Sequence, residues 1–275
     1  MANKKTKTTK KDNNSKIVKI GPVELVVNKH DCIILGILLL LIILYIISPK
    51  VYLVTTARYN HGTKEDQKSV EKALGKENTE ERFEIYFQWY NVIHELGHGV
   101  KKYNSDIKIS SAEEEQLVND FAVAYWLHYG EKEKLEELED IVNYAVDHIK
   151  SDAKEGQSYM EFAEENWNKA SFNTFNNYGW FQFSCVKESL KNKKSLEEVL
   201  KKFEIKGLKI PQPEILKYND ITENVSTQII NDAVDNFNEW GLYFPKTYQS
   251  FNNDPNANYS RGGKNFLGIY DIIHK

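Results

Sequence analysis

Hydrophobic residues gather along this chain in two different ways. Over residues 32–47 they are almost unbroken: CIILGILLLLIILYII holds no charge and is followed by Ser48-Pro49. The adjoining Val51–Thr56 (VYLVTT) can lengthen the run towards what a bilayer crossing needs. Residues 31–54 are therefore predicted as one transmembrane helix, because a buried core helix usually keeps a polar side. Beyond the run, apolar residues recur at helical spacing. Residues 80–102 carry Phe83, Ile85, Tyr86, Phe87, Trp89, Tyr90, Val92, Ile93, Leu96 and Val100, a pattern apolar around most of a helix and so that of a buried one. Ser111-Ala-Glu-Glu114 fits a capping box and predicts a second helix running through EEEQLVNDFAVAYWLHY to Gly130. Further helices are predicted over residues 68–75, 132–150, 159–171, 180–191, 196–203 and 222–240. KGLKIPQP at 206–213 breaks the pattern and is read as the end of the core domain. From Gly241 the chain reads as loop, with a short strand at 266–273.

Charge separates the two ends. Residues 1–31 hold eight Lys against Asp12, Glu24 and Asp31, a net of +5, whereas the remainder is net −9. Residues 1–30 are expected to be a basic, largely disordered tail that touches anionic lipid. No aromatic or folded reader accompanies the lysines, so no specific nucleic-acid partner is expected. The eight lysines favour an inside N-terminus and an extracytoplasmic domain after the span. The two cysteines, Cys32 and Cys185, define no disulfide framework.

The candidate chemistry is in His94-Glu95-Leu96-Gly97-His98. Residues four apart share a helix face, so His94 and His98 can place two imidazoles on one zinc ion. Glu95 between them can take a proton from a zinc-activated water. Gly97 and Gly99 leave room for a close neighbour or an approaching strand. A catalytic zinc needs a third protein ligand. The second helix offers Glu113, Glu114, Glu115 and Asp120. Glu115 heads a stripe with Val118, Asn119, Ala122 and Trp126 whose small residues can lie close to the first helix. Glu115 is therefore the expected ligand and Glu114 the alternative. Asn119, one turn on, is placed to orient an imidazole.

HELGH followed by Glu115-Q-L-V-Asn119-D-Phe121-Ala122 resembles the gluzincin metallopeptidases and, within them, the ImmA/IrrE-type proteins. The downstream helix of those proteins tends to read E-x-x-A-N-x-F-A; Val118 stands at their Ala. The resemblance spans about residues 91–129. It implies a zincin-like, mainly α-helical domain, placed here at 57–205, with 206–275 as a C-terminal extension. It also implies Zn2+ on His94, His98 and Glu115, and a peptide or protein substrate. Some of that group cleave transcriptional repressors inside the cell.

The expected function is thus a membrane-anchored, single-pass zinc metallopeptidase with Glu95 as general base. Two alternatives are a non-catalytic anchored scaffold of the same fold and a repressor-cleaving peptidase facing the cytoplasm. Retention of Glu95 argues against the scaffold. An oxyanion donor is also required, with Tyr178, His128 and His148 as candidates. The aromatic stretch 172–183 (FNTFNNYGWFQF) is read as core rather than substrate cleft.

Overall fold

The computed structural model describes residues 15–20, 23–28, 51–218, 221 and 225–251. The chain divides after Lys50 into two compact units. In the first, β1 (Ser15–Ile20) and β2 (Val23–Asn28) pair antiparallel, with Ser15 opposite Asn28 and Ile20 opposite Val23. Their β-branched residues suit strands. Disorder in this tail is expected up to about Lys16, and residues 1–14 lie outside the described residues.

Residues 29–50, most of the predicted span, lie outside the described residues. The end of that span is corrected. Val51–Thr56 is a strand, β3, which pairs in parallel with β4 (Lys246–Phe251) in register from Val51–Lys246 to Thr56–Phe251. Among the described residues, no helix is long and apolar enough to cross a membrane. β4 also corrects the reading of the chain after Gly241 as loop. The strand expected at 266–273 lies outside the described residues.

The second unit is mainly α-helical. After a 3-10 turn at Tyr59–His61 come α1 (Lys64–Leu74) and α2 (Thr79–Glu84). A π-helical segment, Ile85–Tyr90, then leads into α3 (Asn91–Asn104). The single helix expected over 80–102 is therefore continuous but changes pitch in the middle. All six π-segment residues are buried, so four bulky aromatics pack around the whole circumference. α4 (Ser111–Tyr129), α5 (Lys132–His148), α6 (Tyr159–Asn166), α7 (Phe175–Asn192), α8 (Leu196–Lys202) and α9 (Val225–Trp240) follow. The capping box of α4 is Ser110 with Glu113, one residue before the expected pair.

α3 and α4 form the centre. Gly97 makes their contact close: a Cβ there would lie 3.0 Å from Phe121 Cδ1 and 3.4 Å from Val118 Cβ. Trp89 stacks on Trp126 at 4.0 Å between centroids, joining the π segment to α4. Such a pair contributes about 0.5–1.5 kcal/mol beyond the area it buries. α9 belongs to this same core. Its Ile229, Ala233 and Phe237 are fully buried, and Phe237 packs on Phe121 at 5.8 Å. The boundary expected at residues 205–206 therefore does not separate 225–251 from the helical core. β3 completes one flank, where Tyr52 donates a hydrogen bond to the Glu95 carbonyl at 2.7 Å.

Candidate metal centre

Two helices and their spacing build the centre. His94 and His98 lie one turn apart on α3, and their side chains face the first turns of α4. Gly97 allows the approach towards α4. Gly99 admits Phe244 and Tyr52 on its own side, since a Cβ there would come within 3 Å of the Phe244 ring. Both glycines thus serve the close packing that the motif predicts.

The two imidazoles converge on one carboxylate oxygen. Glu115 Oε2 lies 3.3 Å from His94 Nε2 and 3.6 Å from His98 Nε2. Tetrahedral zinc with bonds of about 2.0–2.1 Å needs ligand atoms roughly 3.3–3.4 Å apart. Glu95 Oε1 is 3.6 Å from His94 Nε2, and His94, Glu95 and His98 bring ligand atoms within 4.8 Å of one another. Glu114 does not join Glu115 at the Nε2 atoms. Its Oε1 meets His98 Nδ1 at 3.0 Å and its Oε2 accepts from Lys101 at 2.6 Å.

The rear nitrogens fix which proton each imidazole carries. His94 Nδ1 lies 3.0 Å from Asn119 Oδ1. The Asn119 amide cannot be turned round, because its Nδ2 already donates to the Glu115 carbonyl at 2.8 Å and to Gln182 Oε1 at 3.1 Å. Tyr90 also donates to Asn119 Oδ1, at 2.8 Å. A neutral His94 has one N–H but faces an acceptor on each side, Asn119 Oδ1 behind and Glu115 Oε2 in front. With the proton on Nδ1, two lone pairs oppose each other between Nε2 and Oε2. Oε2 has Gln182 as a donor at 2.7 Å, but the Nε2 lone pair then faces another acceptor, and an unpaired buried acceptor is costly. A divalent cation between them would remove the conflict, and the nitrogen and oxygen donors suit zinc. The residues present therefore fit the metal.

Electrostatics separate the groups further. Burial pushes His94 below the ordinary histidine range, against the pull of Glu115. Burial also disfavours charged His98, but Glu115 and Glu114 outweigh it and hold His98 well above that range. Glu115 resists its own burial and stays well below the carboxylate range, because His98 and His94 face it. Glu95 is pushed well above that range, chiefly by burial. Side-chain exposure rises from 4% at His94 to 12% at His98 and 26% at Glu114, so the centre opens past His98 towards Lys101.

α7 contributes what the motif could not announce. Tyr178 Oη donates to Glu115 Oε1 at 3.2 Å, and Gln182 Nε2 donates to Glu115 Oε2 at 2.7 Å. Of the three oxyanion candidates, only Tyr178 touches the centre. His148 stacks on Tyr144, and His128 sits against the Pro211 carbonyl. The stretch 172–183 is mostly core, with Phe172, Phe181 and Phe183 fully buried. Gln182, Tyr90 and Lys101 were not anticipated. Their signal lies in helical spacing: Tyr90 precedes His94 by four, Lys101 follows His98 by three, and Gln182 follows Tyr178 by four.

No protein-family model, curated protein or solved structure matches this chain.

Proposed function

We propose that this protein is a zinc-dependent peptidase, anchored through the apolar run before β3 and acting on peptide bonds of a peptide or protein substrate. One observation carries the reading: the Nε2 atoms of a buried imidazole, His94, and a half-buried one, His98, meet a single carboxylate oxygen, with both rear nitrogens held by acceptors. The charge-free run at 32–47 supports the anchor, and the lysine-rich segment before it supports an extracytoplasmic domain. The likeness of residues 91–129 to the gluzincin and ImmA/IrrE-type pattern points the same way.

Zinc held by His94, His98 and Glu115 would supply Lewis-acid polarisation of the scissile carbonyl and a water of lowered pKa. Glu95 takes the proton of the attacking water and passes it to the leaving amine nitrogen. Its burial beside His94 keeps bulk water from competing for that proton. Tyr52 holds the Glu95 backbone from the β3 side. Asn119 and Glu114 orient the two imidazoles from behind.

The test measures zinc content and cleavage of a mixed peptide library by the full chain in detergent, with and without Glu95→Gln. The expected result is about one zinc in each protein and a loss of cleavage by about 10²–10⁴-fold in the variant. Absence of zinc from the wild-type protein would overturn the metal centre. Zinc in both with cleavage by neither would favour a scaffold.

A further inference from the structure

We propose that Tyr178 and Gln182 form a positioning clamp that makes Glu115 a one-oxygen ligand and sets the proton position of His94. The proposal rests on the metal-centre reading above and concerns how that centre is held. The two residues lie one turn apart on α7 and grip opposite oxygens of one carboxylate. Tyr178 Oη donates to Oε1 at 3.2 Å, and Gln182 Nε2 donates to Oε2 at 2.7 Å. The second Gln182 N–H donates to Tyr178 Oη at 2.8 Å, which orients the phenol so that its own proton points at Oε1. Both oxygens are thus engaged, the Tyr178 bond keeps Oε1 turned towards α7, and Oε2 is the oxygen that faces His94 and His98.

Gln182 does a second task with its carbonyl. It accepts from Asn119 Nδ2 at 3.1 Å, leaving Asn119 Oδ1 to face His94 Nδ1. Glu115, Gln182, Asn119 and His94 therefore close a ring of side chains from three helices. Each member has its polarity fixed by the next. A glutamine suits this place because one amide offers both a donor and an acceptor. The consequence is chemical. A carboxylate free to bind through both oxygens would occupy the position that water or substrate needs, whereas a one-oxygen ligand leaves it open.

The test uses the full chain with Zn2+ and Co2+ as probes and the variants Tyr178→Phe and Gln182→Met. Zinc affinity is read by chelator competition and coordination by the visible Co2+ spectrum, which is stronger for four-coordinate than for five-coordinate metal. Gln182→Met should weaken zinc binding by about 10–100-fold. Tyr178→Phe should lower the intensity of the Co2+ bands as Oε1 joins the metal, with a smaller change in zinc affinity. Circular dichroism checks folding. If Gln182→Met does not fold, the Tyr178→Phe spectrum decides alone, because that change removes a single oxygen. Wild-type affinity and spectrum in the folded variants would overturn the clamp while leaving the metal centre intact. A wild-type protein that takes up neither ion would instead remove the reading on which the clamp rests.

Discussion

Asn119 and Asp120 are neighbours on α4, yet each heads a different buried polar cluster. Asp120 belongs to a closed one. Its Oδ1 accepts from Ser189 at 2.8 Å and from Gln116 at 3.3 Å, and its Oδ2 pairs with Lys194 and, at 3.8 Å, with Lys202. Gln116 in turn accepts from Tyr159 at 2.8 Å. Protein partners satisfy both oxygens, and the cluster ties α4 to α6, α7 and α8. Asn119 belongs to an open one, in which the Nε2 atoms of His94 and His98 converge on Glu115 Oε2 at 3.3 and 3.6 Å. The difference teaches how to separate a buried network that holds a fold from one that holds a ligand. The first spends its donors and acceptors on one another; the second also turns several metal-ligating atoms towards one point.

Substitutions on the two sides should therefore separate metal binding from stability. Glu115→Ala should abolish zinc uptake and, with it, the rise in Tm that zinc gives the wild-type protein. A variant that still melts higher with zinc would show that Glu115 is not a ligand. Asp120→Ala should do the reverse. It should cost about 2–3 kcal/mol in denaturant unfolding while zinc affinity stays at the wild-type level. This lies below the usual penalty for breaking a buried pair because both lysines reach water. Gly97→Ala tests the contact that brings the sides together. Its Cβ would press on Phe121 and Val118 and should cost about 1–3 kcal/mol, and a weakened zinc affinity would accompany the shift of α3 from α4. The smallest effect is expected from Tyr52→Phe. Loss of its hydrogen bond to the Glu95 carbonyl should cost about 1 kcal/mol and leave zinc content unchanged.

What the sequence makes legible here follows from how local each feature is. α3 and α4 announce themselves because their apolar positions recur within one helix, and the spacing of His94, His98 and Glu115 is itself helical. The offset capping box has a local cause: Ser110 and Ser111 both precede a run of three glutamates at the required distance. The π segment left no trace because residues 85–90 are almost all apolar, so a change of pitch alters no pattern. β3 and β4 were illegible for the opposite reason. Each finds its partner 195 positions away, and VYLVTT beside an apolar run reads naturally as more of that run. Gln182 was missed on the same ground, since nothing local links α7 to a carboxylate 67 positions earlier. The aromatic setting of α7 suggested core and concealed the two polar residues that turn towards the centre.

The π segment Ile85–Tyr90 carries a further consequence for how this chain can change in length. Its wider turns take in more residues than an α-helix would over the same rise. A deletion of one residue there could be absorbed by closing the stretch into ordinary α-helix. The flanking helices would then keep nearly the same relative rotation, because a π turn is in effect an α turn with one residue added. His94 and His98 would stay on the face that meets α4. A one-residue deletion from the regular helix between the segment and His94 would instead turn both histidines by about 100° about the axis and off that face. The segment is therefore a place where a lineage could lose a residue and keep this centre.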